Sequence, residues 1–190
     1  KGLWIPSYGA ITIQALHILE EYAESKDLQS NRDWGEAIYN SIKSAYLDRR
    51  VQKSLEDANK FTSKEYAKEK VRQVINPQVE IDKLMPYAFT LPNGHTTHLT
   101  VVDKNGMIVA LTQTVGTTMG SKVATPGLGF VYAQTLGGYL GEVKAKDRAS
   151  SHISPMIISK NNEPILALGA AGGSRIPSSI VAVISRIIDN

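Results

Sequence analysis

The sequence has no cysteine, no long apolar run and no excess of charge of one sign. The absence of cysteine excludes disulfides, thiolate metal sites and cysteine nucleophiles, although it does not assign a compartment. Apolar runs such as residues 180–184 are far shorter than the roughly 20 residues that span a bilayer, so we expect no membrane span. The 21 lysines and arginines are dispersed and nearly balanced by 18 aspartates and glutamates. This balance disfavours a nucleic-acid partner.

What the sequence does contain is a mostly helical first part and a strand-rich second part. With 42% apolar residues, the 190-residue chain can build a substantial core. We divide it into residues 1–95, mostly helical with an exposed connector, and residues 96–190, rich in strands and ending in a helix. Both are expected to be parts of one domain. The sequence begins at Lys1 without a methionine or a signal peptide and stops at Asn190 within a helical pattern, so we interpret it as a piece of a larger protein.

The spacing of apolar residues predicts three helices in the first part. The first spans residues 10–24. The second begins at Asp33 and the third at Thr62, because each of these residues has an acidic residue three positions later, as in a capping box. The third helix is expected to end near Ile75. Prolines and an Asn-Gly pair predict an exposed connector over residues 77–95.

An alternation with a period of two then predicts strands over residues 97–103 and 107–115. Residues 104–106 make a three-residue turn, in which a left-handed last residue suits Gly106. If Asp103 pairs with Met107, the register places Thr96 opposite Thr114. The turn chemistry therefore brings a second hydroxyl beside the first.

The remainder combines a glycine-rich passage, a second hairpin and a helix. Residues 116–141 are predicted to be mostly loop, with a short strand over 130–133. Residues 156–159 and 165–168 form a hairpin around an Asn-Asn pair. The glycine turn 169–175 then leads into a helix. Its buried side is predicted to carry five isoleucines: Ile176, Ile180, Ile184, Ile187 and Ile188.

Thr96 can be interpreted as a latent nucleophile. A threonine hydroxyl needs a base, and a threonine that begins a chain can use its own α-amine, whose pKa is near 8 in model compounds, about one unit above neutrality. That amine exists only after the His95–Thr96 bond is cut, and the Thr96 hydroxyl could make the cut by attacking the preceding carbonyl. Thr114 would then hold the hydroxyl in place. The alternative, that Thr96 is a structural strand residue, remains open.

Gly172 and Gly173 are candidates for an oxyanion site. They stand between a strand and a helix N-terminus, where backbone NH groups are free and glycine permits close approach. A plain turn is one alternative. A phosphate loop is another, although the lysine and the spacing of a P-loop are absent. His98 is either a strand-surface histidine or a general base, and no carboxylate lies near it in sequence.

Taken together, these stretches resemble the γ-glutamyltransferase (γ-glutamyltranspeptidase) family. Thr96-Thr97-His98 and residues 101–106 and 112–117 resemble the start of its small subunit. Ser154-Pro155 and residues 169–175 resemble its Ser-Pro and Gly-x-x-Gly-Gly-Ser-Arg motifs, in the same order. In addition, residues 6–9 and 46–49 resemble elements near the end of the large subunit.

The resemblance implies an N-terminal nucleophile hydrolase with an α+β fold, an αββα sandwich whose upstream part is missing from this sequence. The precursor would cleave itself between His95 and Thr96. Thr96 would be the nucleophile, Thr114 the supporting hydroxyl, and the Gly172 and Gly173 backbone the oxyanion hole. Such enzymes transfer a γ-glutamyl group from glutathione-like amides to water or an amino acid, through an acyl-enzyme and without a metal or cofactor. The upstream large-subunit region would be a partner. The resemblance favours a periplasmic or extracellular location, and a cytoplasmic one stays open.

Departures from the family fall on its substrate-binding positions. Gly116 stands where γ-glutamyl enzymes commonly have an asparagine. Thr135 and Gly138 lie where the family has an acidic, amide-bearing patch. The family's serine pair appears as Ser150-Ser151-His152, in a register uncertain by one residue. We therefore expect weak activity on γ-glutamyl donors or preference for another acyl amide, as in related acylases. A catalytically silent homologue with a binding role is the third hypothesis.

Overall fold

The computed structural model describes residues 1–75, 94–135, 144–146 and 148–188. These residues form two compact units. The β unit combines residues 1–9 with the described part of 94–176, and the helical unit combines 10–75 with 177–188. The α+β class expected from the sequence is confirmed. The elements in chain order are α1 (Gly9–Ser25), α2 (Asn31–Asp48), α3 (Leu55–Phe61), α4 (Lys64–Ile75), β1 (Gly94–Val102), β2 (Ile108–Thr117), β3 (Met156–Lys160), β4 (Glu163–Leu168) and α5 (Ile176–Ile188).

The first predicted helix agrees with α1 to within one residue at each end. Its apolar stripe is buried as the spacing predicted, with every member at most 3% exposed: Ile11, Ala15, Ile18, Leu19 and Tyr22. A period of 3.6 residues is enough to identify this helix, because one continuous face of it meets the core.

The predicted start of α2 at Asp33 is wrong, because the cap lies three residues earlier at Ser30. The Ser30 hydroxyl accepts from the Asp33 amide at 3.2 Å, and the Asp33 carboxylate accepts from the Ser30 amide at 3.0 Å. Asp33 therefore completes the capping box and does not open it. The Ser30 hydroxyl also donates to the Asp33 carboxylate at 2.8 Å, and this bond, together with the one from the Ser30 amide, lowers the pKa of Asp33.

The predicted third helix, from Thr62 to about Ile75, corresponds to α4, and a shorter helix that was not predicted, α3, precedes it. Ser54 and Asp57 form a capping box for α3, which the sequence reading missed. The Ser63 hydroxyl then accepts from the Tyr66 amide at 3.2 Å at the start of α4. Thr62, the expected cap, donates its hydroxyl to the Ala58 carbonyl at 2.8 Å and so closes α3. Helix α4 ends at Ile75 as predicted, and most of the expected connector lies outside the described residues.

A buried carboxylate, Asp48, links three helices of this unit. It accepts hydrogen bonds from the Gln14 amide at 2.6 Å and the Tyr66 hydroxyl at 2.9 Å, and Lys70 Nζ lies 2.9 Å away. Asp48 is only 7% exposed, so these partners replace the water that its charge would otherwise bind. Burial and the Asp48 charge raise the pKa of Tyr66 well above its usual value.

In the β unit, β1 and β2 pair antiparallel in the predicted register, with Thr96 opposite Thr114. Gly106 has φ 82°, which confirms the left-handed residue of the turn. Both strands extend beyond the prediction, because Gly94 and His95 pair with Thr117 and Gly116. A β-bulge between His95 and Thr96 lets the pairing of β1 with β2 continue across the His95–Thr96 bond, into residues that were predicted to belong to the connector.

Strands β3 and β4 form the second predicted hairpin, with Asn161 and Asn162 both in the left-handed region. Strand β4 contacts β1 and β2. Two expectations fail in this half of the chain. The short strand over 130–133 is reduced to one isolated bridge between Ala124 and Val131. The isoleucine face of α5 is buried at Ile176, Ile180 and Ile184, but Ile187 and Ile188 are 53% and 64% exposed.

Candidate active site

Thr96 is half-buried in β1, next to the bulge. Because side chains alternate along a strand, Thr96 shares one face of the hairpin with His98 and with their partners on β2, Thr114 and Thr112. The opposite face carries exposed apolar residues, including Leu99 and Leu111. The candidate nucleophile, the candidate base and the supporting hydroxyl therefore lie on one side of the sheet.

The Thr114 hydroxyl lies at the centre of a hydrogen-bond network. It receives a hydrogen bond from the Thr96 hydroxyl at 3.2 Å and one from the Gly116 amide at 3.0 Å. It donates its own proton to the carbonyl oxygen of His95 at 3.2 Å. A hydroxyl has one donor and two acceptor sites, so this arrangement uses its full capacity. The same side chain thus touches the predicted nucleophile and the carbonyl of the predicted cleavage bond.

His98 forms a second network on the same face. Its Nδ1 lies 2.8 Å from the Thr112 hydroxyl, and its Nε2 lies 3.0 Å from the Thr100 hydroxyl. Burial lowers the pKa of His98 below its usual value, so the ring is neutral at physiological pH. Both ring nitrogens are already engaged, which argues against His98 as the base for Thr96. The sequence reading did not predict these partners, although the hairpin register that pairs Thr96 with Thr114 also pairs His98 with Thr112.

Gly172 and Gly173 stand between β4 and α5, at the start of a short 3₁₀ turn spanning Gly173–Arg175. They have φ 137° and 61°, and no side chain of the described residues caps the turn by a hydrogen bond. Gly169, three residues before Gly172, packs against the His98 ring. The structure thus brings the start of the glycine turn to the polar face of the hairpin. The role of Gly172 and Gly173 as oxyanion donors remains a prediction.

Gly116 is the departure from the family pattern that the structure explains. It has φ 83°, and a Cβ added there would lie 2.4 Å from the carbonyl oxygen of Gln134 and 3.5 Å from Thr135 Cγ2. The main-chain amide of Gln134 donates to the Val115 carbonyl at 2.8 Å, which holds the segment around Gln134 against the end of β2. Gly116 and Thr135 are thus brought together, and main chain fills the space that an asparagine side chain at position 116 would need. Gly138 lies outside the described residues.

The segment that contains Ser150, Ser151 and His152 is held by the N-terminal residues of the chain. Ser151 bridges to Ser7, and the His152 and Tyr8 rings are 4.5 Å apart between centroids. The Ser150 hydroxyl donates to the Pro6 carbonyl at 3.4 Å. These contacts fix the segment within the β unit, and its proposed part in substrate binding remains a prediction.

Within the described ranges, neither clustered metal ligands nor a membrane-spanning helix is present. Histidines, aspartates and glutamates there do not gather into any group of three that could hold a metal ion. In the same part of the chain, no helix has both the length and the apolar character needed to cross a bilayer.

Comparison with known proteins places this geometry in context. Residues 3–190 match the model of a family described as gamma-glutamyltranspeptidase. The glutathione hydrolase proenzyme of Escherichia coli K12 is 34% identical over 97% of this chain and 36% of its own length. The acylase ACY 1 proenzyme of Pseudomonas sp. SE83 is 27% identical over 95% of this chain and 34% of its own length.

A solved structure of a variant of Helicobacter pylori gamma-glutamyltranspeptidase is 33% identical, with a TM-score of 0.43. The match covers 49% of this chain and 59% of that one. The chain spans about a third of the length of the curated relatives that match nearly all of it.

Proposed function

We propose, from the premise that this chain belongs to the γ-glutamyltranspeptidase family, that it carries the nucleophile of a self-cleaving enzyme, Thr96. The enzyme acts on γ-glutamyl amides such as glutathione through an acyl-enzyme. The observation that carries the proposal is the hydrogen-bond chain from the Thr96 hydroxyl through Thr114 to the His95 carbonyl oxygen.

The hydrogen-bond chain supports a definite course for self-cleavage. The Thr96 oxygen attacks the carbonyl carbon of His95, while its proton passes to Thr114 and the Thr114 proton passes to the carbonyl oxygen. The resulting tetrahedral adduct collapses as its hydroxyl proton passes to the Thr96 nitrogen and the bond to that nitrogen breaks, which leaves an ester between His95 and the Thr96 oxygen. Water then hydrolyses the ester. The products are a carboxylate on His95 and a free α-amine on Thr96.

In turnover, the new α-amine takes the proton of the Thr96 hydroxyl as that oxygen attacks the substrate amide. After cleavage the Thr114 hydroxyl no longer donates to the His95 carbonyl, and its remaining role is to hold the Thr96 side chain in one rotamer. The amides of Gly172 and Gly173 are proposed to stabilise the oxyanion. Water or an amino acid then accepts the acyl group, and the Thr96 hydroxyl is restored.

The substrate class has two candidates. The name of the E. coli relative, a glutathione hydrolase, favours glutathione-like donors. The packing at Gly116 favours another acyl amide, because the Gln134 main chain occupies the space of the family's asparagine. The Pseudomonas relative named as an acylase is compatible with the second candidate. We propose γ-glutamyl amides as the substrate class, with weaker binding of the glutamyl group.

The remaining partner is the upstream part of the same precursor. The matched relatives are about three times as long as this chain, so we propose that a large-subunit region completes the sandwich and the substrate site. All tests below therefore use the full-length protein.

Mass spectrometry of the purified full-length protein tests the proposal. Wild type is expected to split into two polypeptides, the second beginning at Thr96, and Thr96→Ala is expected to stay whole. Thr97→Ala is the matched control, because Thr97 lies exposed on the opposite face of β1. An intact wild-type chain after prolonged incubation would favour the silent homologue. If cleavage occurs, a panel of γ-glutamyl and other acyl amides separates the two substrate classes.

A further inference from the structure

The contact between Gly169 and His98 joins the nucleophile strand to the glycine turn. A Cβ added at Gly169 would lie 2.3 Å from His98 Nδ1 and 2.4 Å from Cε1. Carbon atoms do not approach a ring this closely, so only glycine fits at position 169 with the His98 ring in place. The backbone at the end of β4 therefore rests directly on the imidazole.

The ring itself is held from two sides. The hydroxyls of Thr112 and Thr100 engage its two nitrogens, and Thr112 is only 6% exposed. A neutral imidazole has one donor and one acceptor nitrogen, and a threonine hydroxyl can serve either. Since both bonds would have to break before the ring could rotate, His98 presents a fixed surface to Gly169.

We propose that His98 is a positioning residue that sets the place of the Gly172 and Gly173 amides relative to Thr96. The proposal rests on the proposed function. His98 lies two residues from Thr96 on the same face, which is about 6–7 Å along a strand. Gly169 is three residues before Gly172. The ring thus connects the strand of the nucleophile to the segment of the oxyanion donors, whose effect depends on their distance from the developing charge.

Steady-state kinetics of the cleaved full-length enzyme provide the first test. His98→Ala is expected to lower kcat by about 10²-fold, the effect of a misplacement of roughly 1 Å, and to change KM by less than about threefold, as expected of a positioning residue that acts through the Gly172 and Gly173 amides. The pH profile should keep its shape, since the α-amine remains the base. Loss of one limb of the profile would make His98 a base and would overturn the proposal.

A double-variant cycle isolates the contact itself. Gly169→Ala alone should lower kcat, because its methyl group collides with the ring. In the His98→Ala background the methyl group enters vacated space, so the second substitution should cost less than about threefold. If the two substitutions acted independently, their fold-losses in kcat would multiply in the double variant, and that result would contradict the proposal. Gln113→Ala is the matched control, since Gln113 is exposed on the opposite face of the hairpin.

Hydrogen–deuterium exchange tests the positioning without any need for activity. In the full-length Thr96→Ala precursor, adding His98→Ala should speed exchange over residues 169–175, whereas adding Gln113→Ala should not. Unchanged exchange in this segment would overturn the proposal even if activity falls. If wild type fails to cleave, the proposed function fails. The exchange experiment still decides whether His98 positions the segment 169–175.

A further variant covers the case in which His98→Ala does not fold. His98→Gln retains one donor and one acceptor for Thr112 and Thr100. In this variant, the amides of residues 169–175 are expected to exchange at a rate closer to that in the Thr96→Ala precursor than to the rate in an unstructured peptide. Protection as low as in an unstructured peptide would contradict a positioning role for the polar contacts.

Discussion

Thr114→Val is the substitution that tests the candidate site most directly. Valine keeps the branched shape of threonine and removes only the hydroxyl. In the structure that hydroxyl donates to the His95 carbonyl at 3.2 Å and accepts from the Thr96 hydroxyl and the Gly116 amide. The substitution therefore removes one donor from the cleavage bond and one acceptor from the nucleophile at the same time.

Two effects of different size are expected. Gly116 is buried, so its amide loses its acceptor at a cost of about 1–3 kcal/mol in folding free energy. Loss of the donor to the His95 carbonyl removes stabilisation where negative charge develops, which in comparable sites slows reaction by about 10²–10³-fold, or about 2.7–4 kcal/mol. The kinetic effect should therefore be clear in a protein that still folds.

Time courses of self-cleavage by mass spectrometry, with circular dichroism as a check on folding, measure both effects. Thr114→Ser keeps the hydroxyl and is expected to cleave within about tenfold of the wild-type rate, since the lost methyl group relaxes only its rotamer. A folded Thr114→Val protein that cleaves as fast as wild type would refute the role assigned to the hydrogen-bond chain.

Two further predictions concern packing and pH. Gly116→Asn restores the family's residue, and in urea titrations it should lower the free energy of unfolding by about 1–3 kcal/mol more than the control Gly127→Asn. Both glycines have positive φ, but of the two only Gly116 faces the main chain of another segment. An equal loss in the two variants would contradict the clash with Gln134. His17 has a lowered pKa, chiefly through burial and despite its 2.8 Å contact with the Thr62 carbonyl. The unfolded chain therefore binds more protons, so stability should fall as pH drops below about 6.5, the usual histidine pKa, and His17→Asn should flatten this slope.

The helices show where local patterns succeed and where they mislead. The apolar stripe of α1 was predicted correctly because its period reflects one buried face. The caps of α2 and α4 were misplaced because several serines, threonines and acidic residues have similar spacing. Only the folded chain selects Ser30 and Ser63, through the hydrogen bonds that they make. The Ser54–Asp57 spacing of the missed helix α3 was visible in the sequence.

The candidate site was predictable where it depends on turn chemistry. A three-residue turn ending in Gly106 determines the hairpin register, and the register places Thr114 beside Thr96. The same register also pairs His98 with Thr112. The orientation of the Thr114 hydroxyl toward the His95 carbonyl was not predictable, because it requires the bulge between His95 and Thr96.

By itself, the sequence determined the class of fold and the hairpin, since periodicity and turn residues act between near neighbours along the chain, and the family resemblance of its motifs singled out Thr96 as the candidate nucleophile. Only the tertiary structure decided that Gly169 rests on His98, that the Gln134 main chain fills the space beside Gly116, and that Asp48 is buried among three helices. The physical reason is that these contacts join residues distant in sequence. Their existence depends on which groups lose water together when the chain packs, and no local spacing carries that information.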